Sequence, residues 1–309
     1  MNNLLTIVLT TFNRYNYLVS AVESILNQSY KDFDLVIVDN GSNDKTSEYL
    51  SKIKDKRLRL KRFEKNSLEN VNFSFSFAKE SKFFMIAHDD DLWDKNFLLE
   101  MIPIIESNSE INLVSSCVEL IDFKGKNLNK NWPIVSENLI WDRHQYIDYY
   151  NFYGNILPCP ATIFRAKILV DNNLNYEWSV GPAVDQFLLF KLNLLKGKFF
   201  LLKKPLLKYR IHQGQGSKKF NLDLQKKIIN PTIELLKFNK TLCNKYIKAS
   251  QVILLKVLFK NLISGDISTF LFLKELKKIS PSIIFNKYLH IHLYNSLILK
   301  SARIISRYN

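Results

Sequence analysis

His88-Asp89-Asp90-Asp91-Leu92-Trp93 sets three carboxylates on consecutive residues. Like charges this close repel unless a cation or protons relieve them. A hard divalent ion, held by one or two carboxylates and completed by substrate phosphates, is one relief. An acidic helix start is the other, with Asp91 or Asp94 ahead of Phe97-Leu98-Leu99 favouring the helix dipole. Asp185 opens a helical pattern after Gly181-Pro182 and fits either a helix cap or a catalytic carboxylate. The stretch from Lys208 to Ser217 mixes Arg210, His212 and glycines, which suits a loop folding over phosphates or a basic interdomain turn.

The elements that must carry these groups alternate in type. Leu4 to Thr10 is a short apolar run closed by Thr-Phe-Asn-Arg, and Tyr17 to Gln28 has helical spacing. Asp34 to Asp39 is a second buried strand, ended by the turn Asn40-Gly41-Ser42-Asn43-Asp44. Arg57 to Phe63 alternates like a strand with one basic face, Leu68 to Glu80 fits a helix, and Lys82 to Ala87 is another buried strand. Strand and helix in alternation predict a mostly parallel sheet, whose ligands bind beyond the carboxyl ends of its strands. Asp39 and the triple aspartate both fall at such ends, so they are expected on one rim. Further on, Asn96 to Glu106 reads as helix, Leu113 to Ile121 as strand, Arg143 to Tyr150 as helix and Asp185 to Lys196 as helix. Lys198 to Leu202 and Leu206 to His212 read as two strands, and from Phe220 the pattern changes to lysine-studded amphipathic helices with breaks near Gly265 and Pro281.

The strings TIVLTTFNR, SILNQSYKDFDLVIVDNGSNDKT and FFMIAHDDDLW, in that order, resemble the nucleotide-sugar-binding half of the inverting family 2 glycosyltransferases. The resemblance is close over residues 4 to 97 and looser to 217. It implies the GT-A fold: a Rossmann-like α/β domain with a mostly parallel sheet flanked by helices, over residues 1–217, with a C-terminal α-helical appendage over 218–309. It implies that Thr10, Phe12, Asn13, Arg14, Asp39, Asn66, Asp89, Asp90, Arg210 and His212 bind the nucleotide-sugar. Asp90, Asp91 and His212 would hold Mn2+ or Mg2+, with Ser217 a further residue at the diphosphate. Asp185 would be the general base, and Pro160, Ala161 and Thr162 would shape the acceptor pocket. Three positions depart from the family pattern: His88 stands for the first Asp of the metal motif, Asn40 for the second Asp of the strand-end pair, and Val184 for a Glu before the base.

The formal net charge is +15, but residues 1 to 200 carry 23 basic and 25 acidic side chains whereas residues 201 to 309 carry 21 and 4. The excess therefore belongs to the tail. Its lysines alternate with Ile, Leu and Phe and show no zinc-finger or RNA-recognition spacing, so packing, oligomer contact or an anionic membrane surface is expected rather than nucleic acid. Cys117, Cys159 and Cys243 offer neither a disulfide framework nor a metal knuckle. Met1 to Thr10 lacks the features of a signal peptide, and the uncharged run Tyr288–Leu299 is too short to span a bilayer. A cytoplasmic enzyme is expected, with a nucleotide-sugar donor, a glycan or lipid-linked glycan acceptor, and peripheral contact with the membrane or a second copy. The remaining histidines fit packing at His144, and His290 and His292 lack ligand partners. The tryptophans, Trp93, Trp132, Trp141 and Trp178, fit core packing or stacking on sugars. Two other readings stand beside the enzyme: a nucleic-acid binder using the basic tail, and a noncatalytic protein of the same fold.

Overall fold

The computed structural model describes residues 4–215, 222–264 and Glu275. In chain order the elements are β1 (Leu5–Thr11), α1 (Tyr15–Leu26), β2 (Phe33–Asp39), α2 (Thr46–Lys52), β3 (Leu58–Arg62), α3 (Leu68–Phe73), β4 (Phe83–His88), β5 (Leu92–Trp93), α4 (Phe97–Ser107) and β6 (Ile111–Ile121). There follow β7 (Asn127–Trp132), β8 (Leu139–Trp141), α5 (Gln145–Tyr153), β9 (Thr162–Arg165), α6 (Ala166–Asp171), α7 (Val184–Asn193), β10 (Lys198–Arg210), α8 (Leu222–Leu236) and α9 (Lys240–Ser264).

One sheet runs in the order β3-β2-β1-β4-β9-β6-β10-β5, with β7 on β6 and β8 on β10. Strands β1 to β4 are parallel, and β1, β2 and β4 are buried along nearly their whole length, which is why they read as unbroken apolar runs. Helix α1 covers them with Leu18, Ala21, Val22 and Ile25, the spacing of one helix face. Burying each of its larger side chains contributes about 1.5–3 kcal/mol.

The chain leaves β1 for β2 and β3 on one side and returns with β4 on the other, so β1 and β4 flank the point where strand order reverses. Between β4 and β6 lies β9, antiparallel to both. Because β9 runs backwards, its amino end arrives where β4 ends. Its last residue, Arg165, donates to the carbonyls of Ile105 (2.6 Å), Asn108 (3.0 Å) and Ile111 (3.0 Å), and so caps the carboxyl end of α4.

Three expectations change. The two late strands are one, β10, which stays paired to β6 through register shifts around Pro205. The helix expected over Leu68 to Glu80 is α-helical only to Phe73 and continues as a 3-10 turn over Ser74–Glu80. Neither Asp91 nor Asp94 is the cap residue of α4: that position is Asn96, whose N–H donates to Asp94 Oδ1 at 2.8 Å.

Contacts divide the chain into two compact units, Met1–Trp178 with Pro182–Lys218, and Ser179–Gly181 with Lys219–Asn309. In the second, α8 and α9 pack on one another around Ile228, Leu236, Leu242, Tyr246 and Leu255. Ser217, the breaks at Gly265 and Pro281, Tyr288–Leu299, His290 and His292 lie outside the described residues. Among the described residues no helix is long and apolar enough to cross a membrane.

Candidate active site

The carboxyl ends of β1, β2 and β4 are level: Thr10 is in register with His88, and Thr11 with Asp39. Asp39 and the triple aspartate thus share one rim. The turn after β1 places Asn13 at φ 52°, a left-handed conformation that Asn tolerates. Asn13 donates its N–H to Ser42 Oγ (3.0 Å) and accepts from Asn43 N–H (2.9 Å), so the turns after β1 and β2 are stitched together. Buried Asp39 accepts from Ser42 N–H at 2.9 Å and lies 3.6 Å from Arg62 Nε.

Asn40 has a different task from a second carboxylate. Its amide donates to Asn66 Oδ1 (2.7 Å) and the Ser67 carbonyl (3.0 Å), and its oxygen accepts from Ser67 N–H (3.0 Å) and Asn70 Nδ2 (2.7 Å). The segment carrying Asn66 is thereby held against the rim. Gly41, at φ +85°, allows the approach: a Cβ there would lie 2.9 Å from the Lys65 carbonyl carbon.

Each aspartate of the triplet has its own surroundings. Burial, reinforced by the charge of Asp90, pushes Asp89 up to about 7, against the opposing influence of the Thr11 hydroxyl and the charge of Arg14. Asp90 is reached by Arg14 Nη1 (3.2 Å) and His212 Nε2 (2.8 Å), both at Oδ2. Asp91 is fully buried and raised well above the carboxylate range by burial and then by Asp90; its Oδ1 accepts from Arg210 N–H at 2.9 Å. Asp91 Oδ2 is buried with no hydrogen-bond partner and lies 3.8 Å from His88 Nδ1. Ligand atoms of His88, Asp90 and Asp91 all fall within 4.8 Å of one another. A buried, orphaned carboxylate oxygen beside an imidazole and a second carboxylate fits a divalent cation.

Arg210 is engaged within the protein through Nε and Nη1. Its guanidinium donates to the Asp90 carbonyl (2.7 Å) and, at 3.4 Å, to those of Asp122 and Phe123, while lying 4.9 Å from the centre of the Tyr17 ring. It fixes the aspartate turn from behind. Pro160, Ala161 and Thr162 are also buried, with Thr162 Oγ1 bonded to the Pro158 carbonyl and Ser115 Oγ, and Trp93 Nε1 donating to the Pro160 carbonyl. They support the rim from beneath, so their side chains form no open surface for an acceptor.

Asp185 sits in the first turn of α7 and is not its cap residue, which is Ala183. It accepts from Gln186 N–H at 2.8 Å and lines a small cavity with Cys159, Tyr176 and Leu188. Burial raises its pKa, opposed by that hydrogen bond and by the field of His88. Trp93 and Trp141 are core residues, Trp132 and Trp178 are half-buried against Tyr209 and Tyr176, and His144 stands at the start of α5 at φ 72° without a capping hydrogen bond from its side chain.

The family model described as glycosyl transferase family 2 matches residues 6–169, more than half of the chain. The chain belongs to glycosyl transferase family 2. An uncharacterized glycosyltransferase of Methanocaldococcus jannaschii is 29% identical over 216 residues, 67% of this chain and 71% of that protein. The TarS protein of S. aureus (residues 1–349), solved with UDP-GlcNAc, superposes with a TM-score of 0.63 at 18% identity, over 84% of this chain and 72% of that one. Mannosyltransferase PcManGT of Pyrobaculum calidifontis, solved with GDP-Man and Mn2+, gives 0.57 at 13% identity, over 98% and 86%. The fold is therefore GT-A.

Two further residues stand at this rim that the sequence does not mark as participants. His88 was visible only as a departure from the first Asp of the metal motif, yet an imidazole is itself a ligand type, and it stands with Asp90 and Asp91. Arg62 reaches Asp39 from β3, whose alternating basic residues were the available signal.

Proposed function

We propose that this chain is a metal-dependent, inverting hexosyltransferase. It moves a sugar from a nucleoside diphosphate donor, a UDP-sugar in the favoured case, to a hydroxyl of a glycan or lipid-linked glycan in the assembly of a bacterial surface polysaccharide. The observation that carries the reading is the shared rim: Asp39 beside the nucleotide turn, the aspartate triplet at the reversal point between β1 and β4, and Asp185 within the field of His88. The binding of UDP-GlcNAc by TarS supports the donor class.

Thr10, Phe12, Asn13, Asp39 and Asn66 border the nucleotide. Asp185 takes the proton of the acceptor hydroxyl as that oxygen bonds to the anomeric carbon, while the bond from this carbon to the diphosphate oxygen breaks and the diphosphate keeps the electron pair. Its raised pKa makes it a stronger base than an exposed carboxylate. A single displacement inverts the carbon and needs no second catalytic carboxylate, so Val184 in place of Glu leaves the chemistry whole. Mn2+ or Mg2+ held by Asp90, Asp91 and His212, with His88 in reach, would supply positive charge against the diphosphate.

A thermal-shift panel of nucleotide-sugars with and without Mn2+ tests the reading. One donor is expected to raise the melting temperature, and more so with the ion; a flat panel overturns the donor assignment.

A further inference from the structure

Arg14 occupies an unusual place for a residue of a nucleotide turn. Its Nη1 lies 3.2 Å from Asp90 Oδ2 and 2.9 Å from His212 Nε2, and its Nη2 donates to the Gly214 carbonyl at 3.0 Å. One guanidinium thus spans two of the groups assigned to the cation and the loop that carries His212.

The hydrogen bonding of His212 is not at rest in this arrangement. Gly214 N–H donates to its Nδ1 at 3.2 Å, which leaves the ring proton on Nε2, pointing to Asp90. Arg14 Nη1, also a donor, then faces a protonated nitrogen at 2.9 Å. Moving the proton to Nδ1 relieves that contact and creates the same conflict with Gly214. No tautomer satisfies all three neighbours. What holds Arg14 there is charge: its Nη1 lies 3.2 Å from the carboxylate of Asp90, which is mostly buried.

We propose that Arg14 is a resident counter-cation, filling in the metal-free protein the charge-compensating role that the divalent ion takes over. The inference rests on the metal-dependent reading above. An ion held by Asp90 and His212 would take the two atoms that Arg14 Nη1 faces, so entry of the ion displaces Arg14. The donor diphosphate offers the released guanidinium a new anionic partner of the bidentate kind it favours. Ion and nucleotide therefore bind cooperatively, and the ion alone binds weakly.

The test is Mn2+ titration of the full chain by electron paramagnetic resonance, alone and with UDP or GDP, for the wild type, Arg14→Gln and Arg14→Ala. Both variants are expected to bind Mn2+ alone about tenfold or more tighter than the wild type, and the gain that nucleotide brings to Mn2+ affinity is expected to shrink by a similar factor, within the range usual for site coupling. A melting temperature close to that of the wild type in each variant assigns the gain to the folded site. If the wild type binds Mn2+ with nucleotide but neither variant gains affinity for the ion alone, the counter-cation role is wrong and the metal-dependent reading stands. If no protein binds Mn2+ with either nucleotide, both fall.

Discussion

In the proposed reaction Asp90 and Asp185 carry opposite demands at opposite ends of the reacting bond. Arg14 and His212 both meet the same oxygen of Asp90. Asp90→Ala is expected to abolish the Mn2+-dependent part of nucleotide diphosphate binding, read by calorimetry; undiminished binding removes Asp90 from the ion. As the proposed base Asp185 accepts a proton, and burial already favours its neutral form. Asp185→Asn is expected to keep donor binding and to lower kcat by about 10²–10⁴, the usual worth of a positioned base.

The same burial has a thermodynamic sign. A carboxyl whose folded pKa is raised is comfortable when neutral and loses stability as pH climbs from its ordinary value near 4 through the folded one. Asp185→Asn lacks that loss. It is expected to melt above the wild type at pH 8 and to converge with it at about pH 4, in thermal denaturation across that range. A variant no more stable at pH 8 would show that the site compensates the charge more fully than its neighbours suggest.

Elements explain why residues so far apart in sequence meet. Apolar runs of β1, β2 and β4 were legible because strands buried on both faces need no alternation, and their level ends placed Asp39 and the triplet together. Strand β7, Asn127–Trp132, was not legible: it is exposed and polar, and only pairing with β6 makes it a strand. The break expected between Leu202 and Leu206 vanished for the same reason, since β6 carries β10 across its irregular stretch. Nor could spacing show that Arg14 meets Asp90 and His212, 76 and 198 residues away.

Asn40 belongs to this scale as well, because it binds one loop to another. Asn40→Asp keeps two accepted hydrogen bonds and loses both donated ones, setting a carboxylate against Asn66 Oδ1 and the Ser67 carbonyl. A loss of about 1–3 kcal/mol is expected in urea denaturation, with weaker donor binding where Asn66 is no longer held.

At the scale of the molecule, charge is divided as sharply as structure. Residues 201 to 309 carry 21 basic side chains against 4 acidic, behind a nearly neutral stretch whose chemistry is acidic. The placement fits an enzyme kept close to an acceptor on an anionic surface. Full-length protein is expected to bind vesicles rich in phosphatidylglycerol at low salt and to leave them at about 1 M salt, where the screening length is roughly 3 Å. No binding at low salt would leave the helices to packing or to a second copy.

The reversed strand β9 also sets an order of events at the ribosome. When β4 emerges it can pair at once with β1, but its other edge waits for Ile163 to Arg165, which lie beyond α4, β6 and α5 in the chain. At about 5–20 residues per second, that edge stays unpaired for several seconds of synthesis. A strand at the heart of the finished sheet thus spends that interval as an open edge, the state in which strands pair with other chains.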